Sequence, residues 1–437
     1  MPTNAPATPS ASPNQTKPID LSHLTSKLWQ DRDEYIMFRI AKRVAALTEG
    51  LKAKDRAPLL MSMGAPTCKP PQILLDKTKA LLDEPGLDTY STSSGELFFR
   101  QAVAERMQKR FGVSIDPVKD VCSLVGSKEG LGNIFRGLIT PNLDPAQQDI
   151  ILTPDPGYAS FKEAISGAGG YCYPIALKPE DDYKPNMDAL WAQLMAEGIA
   201  PERIKAVIIN YPNNPIGATA PRDYLEHVVA FARKHNILLI SDLAYADLVF
   251  PGCPLPTSIL EIEGAKDVAI EFHSLSKPYA MTGWRIGFAV GNPWAVQLLA
   301  NVKSTLDSGI FKVLQKAGAF ALTSPECDAY ILEKNAEYAQ NQAQMLEGFK
   351  QLGWPIEQMQ IPQATFYLWL PVPPRYNTHA EPDVVFANEM LEKSGIVIVP
   401  GTAFGQYGAG YFRLSLVLDA ARHQQVIDRM RQDGFTY

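Results

Sequence analysis

Short runs of apolar and β-branched residues recur through the middle of this chain, at Val121–Val125, Ile150–Thr153, Ala206–Asn210, Ile237–Ser241, Val268–Phe272 and Ile286–Val290. Each gives out in polar, glycine or proline residues and leads towards helical material such as Tyr224–Lys234. Strands that are apolar throughout are buried on both faces. The alternation therefore confines the chain to an α/β fold, a mostly parallel sheet covered by helices. Sheets of that kind bind ligands beyond the carboxyl ends of their strands, so those ends are where chemistry is sought.

The grammar changes near Ser324. A polar-rich helix at Ala329–Leu352 precedes the strand-like TFYLWLPV, a helix at Val384–Lys393, the runs IVIVPG and YFRLSLVL, and a final helix. This pattern predicts a smaller α+β domain over 324–437 beside a large α/β domain over 73–323. A helix expected at Leu28–Leu51, with the segment up to residue 72, is assigned to the small domain. Residues 1–27, rich in Pro, Ser, Thr and Asn, read as a disordered tail; they lack the apolar stretch of a secretory signal.

Composition excludes several function classes. A net charge of −6 argues against a general nucleic-acid binder. No apolar run approaches the roughly 18–20 residues that span a bilayer. The five cysteines are scattered without a CxxC pair, and the six histidines show no HExxH spacing. That usage fits reduced thiols in a cytoplasmic protein and no metal site.

Several strand ends carry candidate residues. In VGSKEG, a run ends at Val125, Gly126 turns the chain, and Ser127 and Lys128 open a helix whose N–H groups can hold a phosphate. Alone, Gly-Ser there is an ordinary turn and cap. Tyr158 follows the Pro-Gly turn of TPDPGYAS, where, taken alone, it reads as a surface or packing tyrosine. Asn213 and Asn214 sit in a loop stiffened by two prolines, NYPNNPIG. Asp242 ends an apolar run three residues before Tyr245; it is either a helix cap or a buried carboxylate facing a cationic ring nitrogen. In FHSLSKPYAMTGWRIG, Lys277 lies behind Ser274 and Ser276 and ahead of Gly283 and Arg285, the pattern of a Schiff-base lysine beside a phosphate clamp.

The motifs YPNNPxG, SDxAY and SLSKxYxMTGWRxG, in this order, resemble those of class I/II aminotransferases, which are fold-type I enzymes dependent on pyridoxal 5′-phosphate. The resemblance covers nearly all of the chain from Leu28 onward. It implies a large cofactor-binding domain around a mostly parallel, seven-stranded sheet. Lys277 resembles the lysine that forms the Schiff base, and Asp242 the partner of the pyridinium nitrogen. Asn214 and Tyr245 match the donors to the cofactor's 3′-oxygen, and Tyr158 the aromatic ring stacked on it. Ser127, Lys128, Ser274, Ser276 and Arg285 fall in the phosphate-binding segments, Lys128 also near substrate. Tyr90, in DTYSTSSG, corresponds to a tyrosine that reaches the neighbouring subunit's cofactor, which implies a homodimer. Arg413 matches the clamp on the substrate α-carboxylate, and Gly64 lies in the segment lining that site.

The implied reaction is ping-pong transfer of an amino group between an L-amino acid and a 2-oxo acid, with glutamate and 2-oxoglutarate as one pair. GSKEG, PDPGY and HSLSKPYAMTGWRIGFAVGN most resemble the bacterial LL-diaminopimelate aminotransferase branch. Tyr35 would then sit where that branch places a substrate-contacting tyrosine; a core tyrosine on an amphipathic helix is the alternative. Alanine/aspartate-type or broad specificity, or β-elimination on the same scaffold, are the rival reactions. A regulator that binds the cofactor without turnover would need a DNA-binding segment, and none is legible.

Overall fold

The computed structural model describes residues 21–30 and 34–437, so most of the segment read as a tail lies outside the described residues. Twelve strands are numbered in chain order: β1 (Leu59–Leu60), β2 (Val121–Leu124), β3 (Ile150–Asp155), β4 (Tyr171–Ala176), β5 (Ile204–Ile209), β6 (Leu238–Asp242), β7 (Ala269–Ser274), β8 (Gly287–Gly291), β9 (Tyr367–Pro371), β10 (Ile396–Val397), β11 (Val399–Pro400) and β12 (Tyr411–Ser415). Seven of them form one sheet in the order β2-β8-β7-β6-β5-β3-β4. Neighbours run parallel except around β8, which is antiparallel to both β2 and β7.

The sequence pattern explains this sheet residue by residue. Side chains alternate between faces along a strand. Val207 and Ile209, Leu239, and Phe288 and Val290 pack into one apolar cluster. Their neighbours Ala206 and Ile208, Leu238 and Ile240, and Ala289 pack into another on the opposite face. Both faces are thus covered, as the unbroken apolar runs require.

β9, β11 and β12 form a separate antiparallel sheet in which Arg413 pairs with Trp369. Phe412, Leu414, Leu368 and Leu370 face a cluster with Phe349 and Met345 of the helix Pro325–Gln351. Alternation turns Arg413 to the other face, towards the ends of the large sheet. β1 pairs in parallel with β10, Leu59 opposite Ile396. The helix Ile36–Ala53 lays Ile40, Val44, Leu47 and Leu51 on Leu391 and Val397.

Three local expectations are corrected. The first helix spans Ile36–Ala53 with Tyr35 as its N-cap, rather than starting at Leu28; Ser26 O accepts the N–H groups of Trp29 and Gln30 in a separate turn. The run IVIVPG splits into β10 and β11, which serve different sheets. The edge strand β4, sequence YCYPIA, was not foreseen. A proline there is tolerated because an edge strand has one unpaired side.

Candidate active site

The carboxyl ends of β3, β5, β6 and β7 converge on a cavity of about 250 Å³, closed from the other side by residues around Gly64, Phe404 and Arg413. The chain brings nine of the expected residues to its walls: Tyr35, Gly64, Ser127, Tyr158, Asn214, Asp242, Tyr245, Lys277 and Arg413.

Asp242 ends β6 and is 5% exposed. Burial pushes its carboxyl up to about 6, with the Ala244 N–H, His273 and Lys277 opposing. Its Oδ1 is buried with no hydrogen-bond partner, a costly arrangement unless a cationic or donor group faces it. Asn210 fastens the neighbouring ends: its Nδ2 donates to Asp242 O at 2.8 Å, and its Oδ1 accepts the Asn214 N–H at 2.9 Å. The loop after β5 closes on itself through Asn213, whose Oδ1 accepts the Ile216 N–H at 3.0 Å. Asn214 is thereby held rigid with its side chain in the cavity.

Lys277 follows β7, and its Nζ donates to Gly64 O. Burial lowers its amine to about 8, with further lowering from Arg413 and Arg285 and opposition from Asp242. A neutral amine is therefore accessible near physiological pH. Tyr245 Oη lies 2.9 Å from Tyr367 Oη, and burial raises the Tyr245 phenol. Tyr158 projects from the end of β3 and meets Phe161 edge to face at 5.6 Å.

Arg285 makes the second half of a small cationic cradle. Its Nη1 donates to Ser276 Oγ at 3.3 Å and Thr282 O at 2.9 Å, and its Nη2 to Val125 O at 3.2 Å. Ser276 N in turn donates to Ser274 Oγ at 3.2 Å. Opposite them begins the helix Ser127–Leu138. Its N-cap Gly126 has φ +82°, and a Cβ there would stand 2.2 Å from Arg285 Nη2. A helix N-terminus, two hydroxyls and a guanidinium so arranged are suited to an anion.

Arg413 is 3% exposed. Its Nη1 donates to Asn214 Oδ1 at 2.8 Å and its Nη2 to Ser62 O at 2.9 Å, while Nε has no partner. Its guanidinium lies over Tyr367 at 4.3 Å and Phe404 at 4.8 Å. A Cβ on Gly64 would meet Tyr367 Oη at 3.2 Å, so this neighbourhood is tightly fitted.

A family model, Aminotransferase class I and II, matches residues 57–430. The chain belongs to the class I and II aminotransferases. It is a transaminase, of a class that works with pyridoxal 5′-phosphate. Among its relatives, the LL-diaminopimelate aminotransferase of Moorella thermoacetica is 39% identical over 91% of this chain and 95% of its own length. LL-diaminopimelate aminotransferase 2 of Trichormus variabilis is also 39% identical, over 91% and 95%. Substrate-bound BacF from Bacillus subtilis superposes with a TM-score of 0.83 at 28% identity, covering 93% of this chain and 97% of that one. A double mutant of the aspartate aminotransferase of Thermus thermophilus gives 0.81 at 25% identity, covering 94% and 99%. Among the described residues of the aminotransferase, no helix is long and apolar enough to cross a membrane.

Five expected residues are outside the cavity lining: Ser274, Ser276 and Arg285, which form the cradle, and Lys128 and Tyr90. Lys128 Nζ sits 4.8 Å from the Tyr35 ring centroid, just outside the wall, and burial, with help from Arg285, lowers its amine. Tyr35 itself is the N-cap of its helix rather than a core residue, and its Oη lies 3.4 Å from Ser160 Oγ. Tyr90 is 88% exposed and is not among the residues that line its own chain's cavity. The loop that carries it is nonetheless firmly held. Gln315 donates to Ser91 Oγ at 2.9 Å and accepts the Glu96 N–H at 2.7 Å, and Lys312 donates to Thr89 Oγ1 at 2.6 Å.

Sequence reading missed Asn210, Tyr367, Ala403 and Phe404, all of which line the aminotransferase cavity. Asn210 had a signal, standing at a strand end directly before the proline-stiffened loop. Tyr367 and Phe404 had none, because an aromatic residue in an apolar strand or loop looks like core.

Proposed function

We propose that this aminotransferase holds pyridoxal 5′-phosphate at Lys277 and transfers the amino group of LL-diaminopimelate to 2-oxoglutarate. The observation that carries the cofactor reading is the orphaned, buried Asp242 Oδ1 in one cavity with Lys277. A cationic ring nitrogen satisfies that oxygen and reverses the cost of burying it. The cradle of Ser127, Ser274, Ser276 and Arg285 fits a phosphate, Asn214 and Tyr245 fit the ring oxygen, and Tyr158 covers the ring face. When bound, the cofactor supplies an electron sink for the charge left on Cα after its proton departs.

The chain's own residues supply the rest. Arg413 holds the substrate α-carboxylate, with its free Nε facing a demand for one more acceptor. That grip fixes the direction of the Cα–H bond. Lys277 Nζ takes the proton and returns it elsewhere, a role suited to an amine lowered to about 8. Tyr367 and Phe404 flank Arg413 and keep water from its face.

Diaminopimelate as donor rests on the names of the relatives and on the space next to the site. A chamber of about 840 Å³ adjoins the cavity through Tyr35, Tyr158 and Phe404, and both Arg39 and Lys162 and the acids Glu34 and Glu163 line it. Mixed charge of that kind suits a donor whose far end carries an ammonium and a carboxylate. The test is a steady-state screen of LL-diaminopimelate, alanine, aspartate and aromatic amino acids against 2-oxoglutarate. A kcat/KM for diaminopimelate at least ~10-fold above the others is expected. Equal rates for all donors would leave a broad-specificity transaminase, and pyruvate and ammonia without any acceptor would indicate β-elimination.

A further inference from the structure

The wall that presses Phe404 towards Arg413 is not held by its own sheet alone. It is tied across the cavity to the end of β3. Asp155, the last residue of that strand, is 8% exposed. Its carboxylate accepts the N–H of Gln406 at 3.0 Å through Oδ2 and of Tyr407 at 3.0 Å through Oδ1, some 250 residues away in sequence. Beside it, the Gly157 N–H donates to Phe404 O at 2.8 Å. Gly405 has φ +132°, and a Cβ there would fall 2.1 Å from Asp155 Oδ1, so the carboxylate and this backbone are in direct contact. The other end of the same segment is fixed separately, by Asp383 Oδ2, which accepts from Thr402 N at 2.8 Å and Thr402 Oγ1 at 2.7 Å.

We propose that Asp155 is a positioning residue for substrate: it sets the 403–407 segment so that Phe404 holds the Arg413 guanidinium in line for the substrate carboxylate. This rests on the reading of Arg413 as the carboxylate clamp. The route is short and physical. The carboxylate fixes the backbone at Gln406 and Tyr407, and the fixed backbone sets Phe404. The Phe404 ring lies 4.8 Å from the guanidinium carbon of Arg413 and meets Trp369 edge to face at 5.9 Å. Asp155 itself touches neither the cradle of Arg285 and Ser276 nor Lys277, so cofactor binding and substrate binding separate.

The test compares Asp155→Ala and Asp155→Asn holoenzymes with the wild type. Three quantities are read: the absorbance of the lysine-bound cofactor, the dissociation constant of the unreactive dicarboxylate succinate, and KM against kcat for the best amino donor. Losing two charge-assisted hydrogen bonds is expected to raise KM and the succinate constant roughly 10-fold in Asp155→Ala, with kcat within about 2-fold. Asp155→Asn keeps one acceptor oxygen and is expected to recover part of the loss. Gly405→Ala attacks the same contact from the opposite side and is expected to raise the same two constants. Unchanged constants in soluble Asp155→Asn, or a fall in kcat with loss of the cofactor band, would overturn the proposal. Failure of the underlying reading is distinguishable, because Arg413→Lys would then leave KM and the succinate constant at their wild-type values.

Discussion

Asp242 and Lys277 are each held in the less comfortable of their protonation environments, and each yields a measurable consequence. Burial raises the Asp242 carboxyl from its ordinary 3.8 to about 6 in the cofactor-free fold. A raised folded-state pKa favours the protein below the unfolded value and costs stability as pH climbs through 4 to 6, after which the cost is complete. Cofactor-free Asp242→Asn should therefore be more stable than wild type at pH 8, by about 1–3 kcal/mol, and no different at pH 3.5. Thermal unfolding at the two pH values checks the sign, and the same variant should lose nearly all turnover. For Lys277, the reacting form is the neutral amine, so capture of pyridoxal phosphate should accelerate with pH around a midpoint near 8 instead of 10.5. Stopped-flow absorbance of reconstitution reads that midpoint, and Lys277→Ala should show neither the band nor transamination. These two residues were legible because the ordered motifs SDxAY and SLSKxYxMTGWRxG carry them; alone, Asp242 reads equally as a helix cap. Tyr367 and Phe404 were not, since their work is to pack against Arg413, and packing leaves no mark that separates it from core.

Among the elements, the helix Ser127–Leu138 depends on its first turn. Glu129 Oε2 accepts the Val125 N–H at 2.9 Å, and Glu129 Oε1 receives the fully buried Lys303 at 3.0 Å, which also reaches Asp307 at 2.9 Å. The helix start is thus pinned before any anion arrives. Gly126→Ala introduces a side chain at positive φ against Arg285, so the cradle must open. It should weaken cofactor affinity by about 1–3 kcal/mol while leaving KM for the amino donor nearly unchanged in saturating cofactor; equilibrium dialysis and kinetics measure the two. Elements were foreseen best where both faces are buried, as in β5 and β6. Where one face is open or the strand is very short, the pattern weakens. β4 carries a proline, and β10 and β11 contribute two residues each to different sheets, which a single run of IVIVPG does not reveal.

At the scale of the molecule, the resemblance of DTYSTSSG to the family's segment leads to the expectation that the exposed Tyr90 reaches a second copy of the chain. Wild-type enzyme is expected to sediment as a dimer, and Tyr90→Phe to remain dimeric while binding cofactor several-fold more weakly; analytical ultracentrifugation and cofactor titration check both. A Tyr90→Phe enzyme with unchanged cofactor affinity would remove the trans contribution. A last consequence concerns the order in which the chain is made. Residues 57–62 are synthesised long before their partners: Leu59 N bonds Gly395 O, Ser62 O receives Arg413, Met61 O receives the Ser415 amide, and Ala57 O receives Arg429. Contacts separated by about 350 residues cannot form until the later partner has been synthesised, and closing so large a loop slows the step that makes them. The strand ends bearing Asp242 and Lys277 emerge well before Arg413. A nascent chain can therefore complete the cofactor's side of the pocket first, and acquires its grip on substrate only once Arg413 has emerged.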